Sequence, residues 1–309
     1  MKPTCHECIE VKEIVKKKCM VQAALVLLLV LCFSCAAAQE AKDLTNACII
    51  SSPDKTTDKV HDGAYTSFWQ SRTNEKPHLE FQTPEGESAQ YLYICFAEMP
   101  EAWSIEEEIN GEWQTSIEGT TDYYHVLVAL NGKNHFRLVG ISEKKSYLKL
   151  NEVFVFSDGE LPDWVQQWEA PLDKADLLAL AAHPDDELLF LGGTIPYYAG
   201  EMGRKVQVAY LVPTMPYRRL ELLDGLWLCG VKNYPMIGHF PDKYQLTLKG
   251  MYAQKGWSRE SVYRFVAETY RACRPDVVVT QDVNGEYGHG AHRAAADAAQ
   301  AAIALAADE

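Results

Sequence analysis

Leu177-Leu178-Ala179-Leu180-Ala181-Ala182-His183-Pro184-Asp185-Asp186-Glu187 joins six apolar residues to a stretch in which four of five side chains ionise. An apolar run of this length, halted by polar residues, has the pattern of a strand buried on both faces. Ending such a strand on a histidine and three carboxylates is unfavourable unless the charges meet a metal or an ionic partner. Pro184 suits the first turn of a following helix, where its missing N–H costs nothing. In open parallel sheets ligands bind beyond the carboxyl ends of strands, so this stretch falls where chemistry is expected.

Working outward, Val206–Val212 is a second run of this kind and Asp276–Thr280 closes a third. Helical patterns are expected between them, over Leu188–Gly200, Arg218–Cys229 and Ser258–Cys273, with an alanine-rich final helix over Ala291–Ala307. Strands alternating with helices predict an α/β, Rossmann-like parallel sheet with helices on both faces, over residues 174–309. A second polar cluster, Gly285-Glu286-Tyr287-Gly288-His289-Gly290-Ala291-His292, follows the third strand and so lies on the same sheet edge. One of its histidines can join His183 and a carboxylate as three protein ligands, leaving a fourth position open. That is the arrangement of a catalytic rather than a structural zinc.

His183-Pro184-Asp185-Asp186-Glu187 and the Gly-x-Tyr-Gly-His-x-x-His pattern of 285–292 resemble the two motifs of the PIG-L, or LmbE-like, N-deacetylases. The resemblance runs from about Asp173 to the end of the chain. It implies removal of acetyl groups from N-acetylglucosamine-containing molecules, with His183, Asp186 and His292 holding Zn2+ and Asp185 acting as general base toward the zinc's water. It further implies His289 as electrophile or acid and Tyr287 as a support for the tetrahedral intermediate. Arg218, in the family's Arg-x-x-Glu pattern with Glu221, is a candidate substrate contact or a solvated helix start. Asp282 is a candidate pocket residue, or a helix-capping or loop-stabilising one. The chain departs from the family in having Gly290-Ala291 where Pro-Asp is usual, which removes a carboxylate able to orient a histidine. Family members also usually continue further beyond the second motif, so an incomplete catalytic domain is expected.

Residues 46–158 read differently, as short alternating runs (His78–Phe81, Tyr91–Phe96, His125–Leu130, His135–Val139, Val153–Phe156) with tight turns expected at Asn110-Gly111 and Asn131-Gly132. This predicts an all-β, jelly-roll-like sandwich. Asp62-Gly63-Ala64-Tyr65-Thr66-Ser67-Phe68-Trp69 resembles the opening of discoidin or galactose-binding-like domains, with Asn151-Glu152-Val153 as the closing strand. The resemblance implies glycan held on loops, with Trp69, Trp103 or Trp113 as stacking platforms or as core residues. Residues 159–173 form the expected linker, with a short helical turn and Trp164 and Trp168 packed away from water.

Residues 1–38 have the order of a secretory leader: Lys16-Lys17-Lys18, then Val21–Phe33, apolar but for Gln22, then Ala36-Ala37-Ala38. The run falls short of the roughly 20 residues that span a bilayer. Export to the exterior or cell surface is therefore expected, with lipid anchoring at Cys35 or an uncleaved leader as the alternatives. Removing the leader makes the formal charge of -14 more negative, which makes the chain a poor candidate for phosphate-backbone or anionic-membrane binding. The expected partner is an amino-sugar or glycan substrate, with no nucleic acid. Rival readings are a non-catalytic glycan-binding protein with an inactive deacetylase-like domain, or an amidase acting on a non-sugar N-acyl compound.

Overall fold

A computed structural model describes residues 39–307 except 54, 73–75, 121, 143–146 and 214. The leader and the lipidation reading at Cys35 lie outside the described residues. The first nine strands are β1 (Ile49–Ser51), β2 (Trp69–Gln70), β3 (His78–Gln82), β4 (Ala89–Glu98), β5 (Ala102–Ile109), β6 (Glu112–Thr120), β7 (His125–Lys133), β8 (His135–Ile141) and β9 (Lys149–Phe156). They form two antiparallel sheets, ordered β1-β3-β8-β5-β6 and β2-β9-β4-β7. Alternate side chains of both sheets meet in one apolar core, Leu79, Phe81, Phe136 and Leu138 from the first against Leu92, Ile94, Leu150 and Val153 from the second.

Asn110 and Gly111 have positive φ (56° and 82°) and close the β5–β6 hairpin, in which Ile109 faces Glu112. The strands on either side are absent from the sequence expectation because their pattern is not apolar. β6 is largely exposed, and Glu106 in β5 is buried while paired with Lys76 and Arg137 at 2.6 Å each. Asn131-Gly132 does not make the expected tight turn. The pair sits within β7 at positive φ, where Ala129 to Lys133 span only Tyr91 to Ala89 of β4, a bulge rather than a reversal.

Trp69 and Trp103 are buried in the sandwich core, and Trp113 lies under the Arg137 guanidinium at 4.3 Å, so Trp69 and Trp103 are core residues and not platforms. The Asp62 loop and the Asn151 strand do come together. Glu152 accepts from the Gly63 and Ala64 amides, and Asn151 donates to the Tyr65 carbonyl. In the linker a reverse turn closed by Val165 N–H to Pro162 O replaces the expected helical turn. Trp168 is buried against Trp227 and Tyr234, whereas Trp164 stays 41% exposed on the rings of Phe154 and Phe156.

The later elements are β10 (Leu177–Ala181), α1 (Asp186–Leu189), a π-helical turn (Pro196–Glu201), β11 (Val206–Tyr210), α2 (Pro216–Leu228), β12 (Met236–Ile237), α3 (Leu248–Tyr252), α4 (Arg259–Cys273), β13 (Val277–Thr280), a 3-10 turn (Glu286–Gly288) and α5 (Gly290–Ala307). The sheet is parallel, ordered β12-β11-β10-β13. Leu178 and Leu180 pack with α4 and α5, while Leu177, Ala179 and Ala181 pack with α2 and the π-helical turn. The continuous helix expected over Leu188–Gly200 is broken into α1 and that turn. Gly192 interrupts it, pressed so closely on the Leu188 carbonyl that a Cβ would stand 2.2 Å from its oxygen. Strand β12 and helix α3 were not expected, being too short to leave a period. Ser258 caps α4 in a reciprocal bond with Ser261. Cys48, Cys95, Cys229 and Cys273 are unpaired, and no helix among the described residues is long and apolar enough to cross a membrane.

Candidate active site

β10 is central, and β11 and β13 lie on opposite sides of it, so the chain order switches direction at its carboxyl end. His183 to Asp186 leave that end, and Gln281 leaves β13 beside it, its side-chain oxygen accepting from Ala182 N–H at 2.8 Å. The site thus grows from the crevice that the strand order opens.

Asp185 has φ 123°, a region that side-chain-bearing residues rarely adopt. Its carbonyl accepts from Leu188 and Leu189, and its N–H donates to the buried Glu187 carboxyl. Its own carboxylate makes no helix cap; it projects to the pocket, where Arg218 donates to it at 2.9 Å. Burial pushes the Glu187 carboxyl up to about 7.

Asp186 is buried, and its Oδ2 accepts from His183 N–H at 2.8 Å. The same oxygen stands 3.2 Å from His183 Nδ1 and 3.3 Å from His292 Nε2. Burial opposes ionisation of Asp186, but its bonds to His183 and the nearby His292 imidazole outweigh that and hold the carboxyl below the ordinary range. His292 is fully buried; its Nε2 makes no hydrogen bond, while its Nδ1 lies 2.8 Å from Glu286 Oε2. The His183 and His292 rings are 5.4 Å apart, and His289 lies 4.9 Å from the first and 4.8 Å from the second. One ring nitrogen from each of the three lies within 4.8 Å of the others, a group that could hold a metal ion. Burial and the neighbouring rings of His183 and His292 push His289 down to about 4, so it is neutral at physiological pH.

These donors fit a divalent ion. A tetrahedron with zinc–nitrogen and zinc–oxygen bonds of about 2.0–2.1 Å has edges of about 3.3 Å, the spacing between Asp186 Oδ2 and both imidazoles. The buried Nε2 of His292, without a hydrogen bond, is the atom that such an ion would satisfy.

A cavity of about 320 Å³ opens over this group, bounded by Asp185, Arg218, Asp242, Met215, Tyr287 and His289. Tyr287, in a left-handed conformation at φ 44°, is 69% exposed with its ring 5.7 Å from His289 and 5.2 Å from His292. Of the residues singled out in the sequence, His183, Asp185, Asp186, Arg218, Tyr287, His289 and His292 come together here. Asp282 does not line this cavity: its carboxylate accepts from Asn284 N–H in its own loop, and Glu221 is exposed on α2. Two acidic residues were not anticipated. Asp242 lies 3.8 Å from His183 Nε2, on a loop with no motif to mark it. Glu286 was inside a quoted motif, but only the fold shows that it faces His292.

Residues 178–303 match the family model described as GlcNAc-PI de-N-acetylase, PIG-L. The chain is similar to a 1D-myo-inositol 2-acetamido-2-deoxy-alpha-D-glucopyranoside deacetylase from Streptomyces scabiei, 30% identical over 43% of this chain and 49% of that protein. It is similar to one of the same name from Streptomyces avermitilis, 33% identical over 43% and 54%. The chain spans about half the length of these curated relatives. Among solved structures it is similar to the family 32 CBM from C. perfringens NanJ in complex with galactose, with 12% identity, 38% of this chain and 99% of that chain covered, and a TM-score of 0.32.

Proposed function

Residues 178–303 carry a PIG-L domain, and from this premise we propose that the chain is a zinc-dependent N-deacetylase that hydrolyses the acetamide of an N-acetylglucosamine-containing substrate. The observation that carries this reading is the convergence of His183, Asp186, His289 and His292 around the unsatisfied Nε2 of His292, with Asp185 held at the rim by Arg218. His183, Asp186 and His292 would hold the ion, which when bound supplies Lewis-acid polarisation of the amide and a water of lowered pKa.

Asp185 is the base that takes the proton of the attacking water, and Arg218 fixes which of its oxygens remains free. Neutral His289 presents an N–H to the oxygen that becomes negative as the carbonyl is attacked, and Tyr287 closes the same side. An inositol-linked N-acetylglucosamine is the first substrate to test, because relatives carry that name. We extend the proposal to export through the leader over residues 1–38.

Acetate release from N-acetylglucosaminyl-inositol and from N-acetylglucosamine oligomers, with zinc measured on the same preparations, tests the reading. One equivalent of zinc and acetate release abolished in Asp185→Ala are expected. Zinc-loaded protein that releases no acetate from either would leave a glycan-binding scaffold or a different N-acyl substrate.

A further inference from the structure

We infer that Glu286 is the positioning residue for His292, supplying a carboxylate to that imidazole in a second motif that has none at Ala291. This rests on the metal-site reading above.

Gly285 turns the chain at φ 68°, and a Cβ there would stand 2.5 Å from the His289 carbonyl oxygen, so this tight approach requires glycine. The turn brings Glu286 back over the start of α5. Glu286 Oε1 accepts from Asp282 N–H at 3.0 Å, which anchors the carboxylate, and Oε2 faces His292 Nδ1 at 2.8 Å. A carboxylate at that nitrogen keeps the proton on Nδ1 and directs Nε2, the nitrogen 3.3 Å from Asp186, toward the ion.

The packing of the same segment accommodates small residues at positions 290 and 291. Ala291 is fully buried, packed among Ala294, Ala295 and Leu180, where an ionised side chain would be desolvated. Gly290 is equally constrained. Its N–H donates to the Gln245 carbonyl at 2.6 Å, which a proline could not do, and a Cβ would stand 2.9 Å from that oxygen. The Gly290-Ala291 pair therefore fits this packing, and Glu286 reaches the imidazole from the other side.

Zinc affinity of the full chain, measured by competition with a chromophoric chelator, tests the inference in wild type, Glu286→Gln and Glu286→Ala. Weakening by about 10- to 100-fold is expected in both variants. Glu286→Gln keeps an oxygen for Asp282 N–H, so its metal-free melting curve should match wild type, separating positioning from a loss of fold. The cobalt-loaded variants should also show displaced visible bands, because the imidazole is no longer held in one orientation. Wild-type affinity and an unchanged cobalt spectrum in Glu286→Gln would overturn the inference while leaving the metal site intact. A wild-type chain that binds no metal would overturn the metal reading, and this inference with it.

Discussion

At the residue scale the structure separates two adjacent carboxylates of one motif by environment. Asp186 is buried and held by two histidines, whereas Asp185, turned outward by its unusual backbone, is about half exposed and paired with Arg218. Their letters are identical in the sequence, and it is the motif's resemblance, not its spacing, that assigns Asp186 as proposed ligand and Asp185 as proposed base. Asp185→Asn should therefore bind zinc as wild type does and lose about 10²- to 10⁴-fold in kcat, checked by metal content and acetate release on the same sample. Position 291 gives an independent prediction. Ala291→Asp places a carboxylate in the apolar core and should destabilise the chain by about 3 kcal/mol or more, seen as a lowered midpoint in denaturant unfolding. An unchanged midpoint would show that the start of α5 has room that the packing does not indicate.

At the element scale, whatever had a long period was legible and whatever was short or charged was not. The helices α2, α4 and α5 and the strand β10 follow from runs of apolar residues, within a residue or two of their observed ends. The break after α1 was hidden because Gly192 acts through contact with the Leu188 carbonyl, which no pattern reveals. The turn of the β5–β6 hairpin was legible at Asn110-Gly111, but its strands were hidden, because Glu106 is buried with Lys76 and Arg137 and β6 is largely exposed, so their alternation is not hydrophobic. The meeting of the Asp62 loop with β9 yields a pH prediction. Burial, with the Asp62 carboxylate adding to it, pushes Glu152 up to about 7. The folded chain then holds a proton that the unfolded chain has already released, so stability falls as pH rises from the ordinary glutamate range through about 7 and stays lower above it. Glu152→Gln keeps an acceptor for the Gly63 and Ala64 amides without the charge. Relative to that variant, wild type should lose about 2–3 kcal/mol between about pH 5 and pH 8, measured by urea unfolding at both ends. Parallel pH profiles for the two proteins would contradict the assignment.

At the scale of the whole molecule, a parallel sheet brings stretches a hundred residues apart to one edge, and this makes the candidate site readable in the sequence. Two strand ends carrying ionisable residues have one place to meet when the sheet is parallel and β13 adjoins β10. What the sequence could not supply was contact across the site: the Asp185–Arg218 pair, Asp242 beside His183, and the turn that aims Glu286. Because such a site forms only in the folded chain, zinc at a hundredfold its Kd should stabilise the protein by about 2.7 kcal/mol, and a chelator should reverse this. Calorimetric scans of His292→Ala should show no response to zinc. The most direct measurement is anomalous diffraction at the zinc edge from crystals of the zinc-loaded chain. A single strong peak within about 2.0–2.2 Å of a nitrogen of His183, a nitrogen of His292 and a carboxylate oxygen of Asp186 is predicted. Zinc found elsewhere on the chain, with no peak between these three side chains, would contradict it.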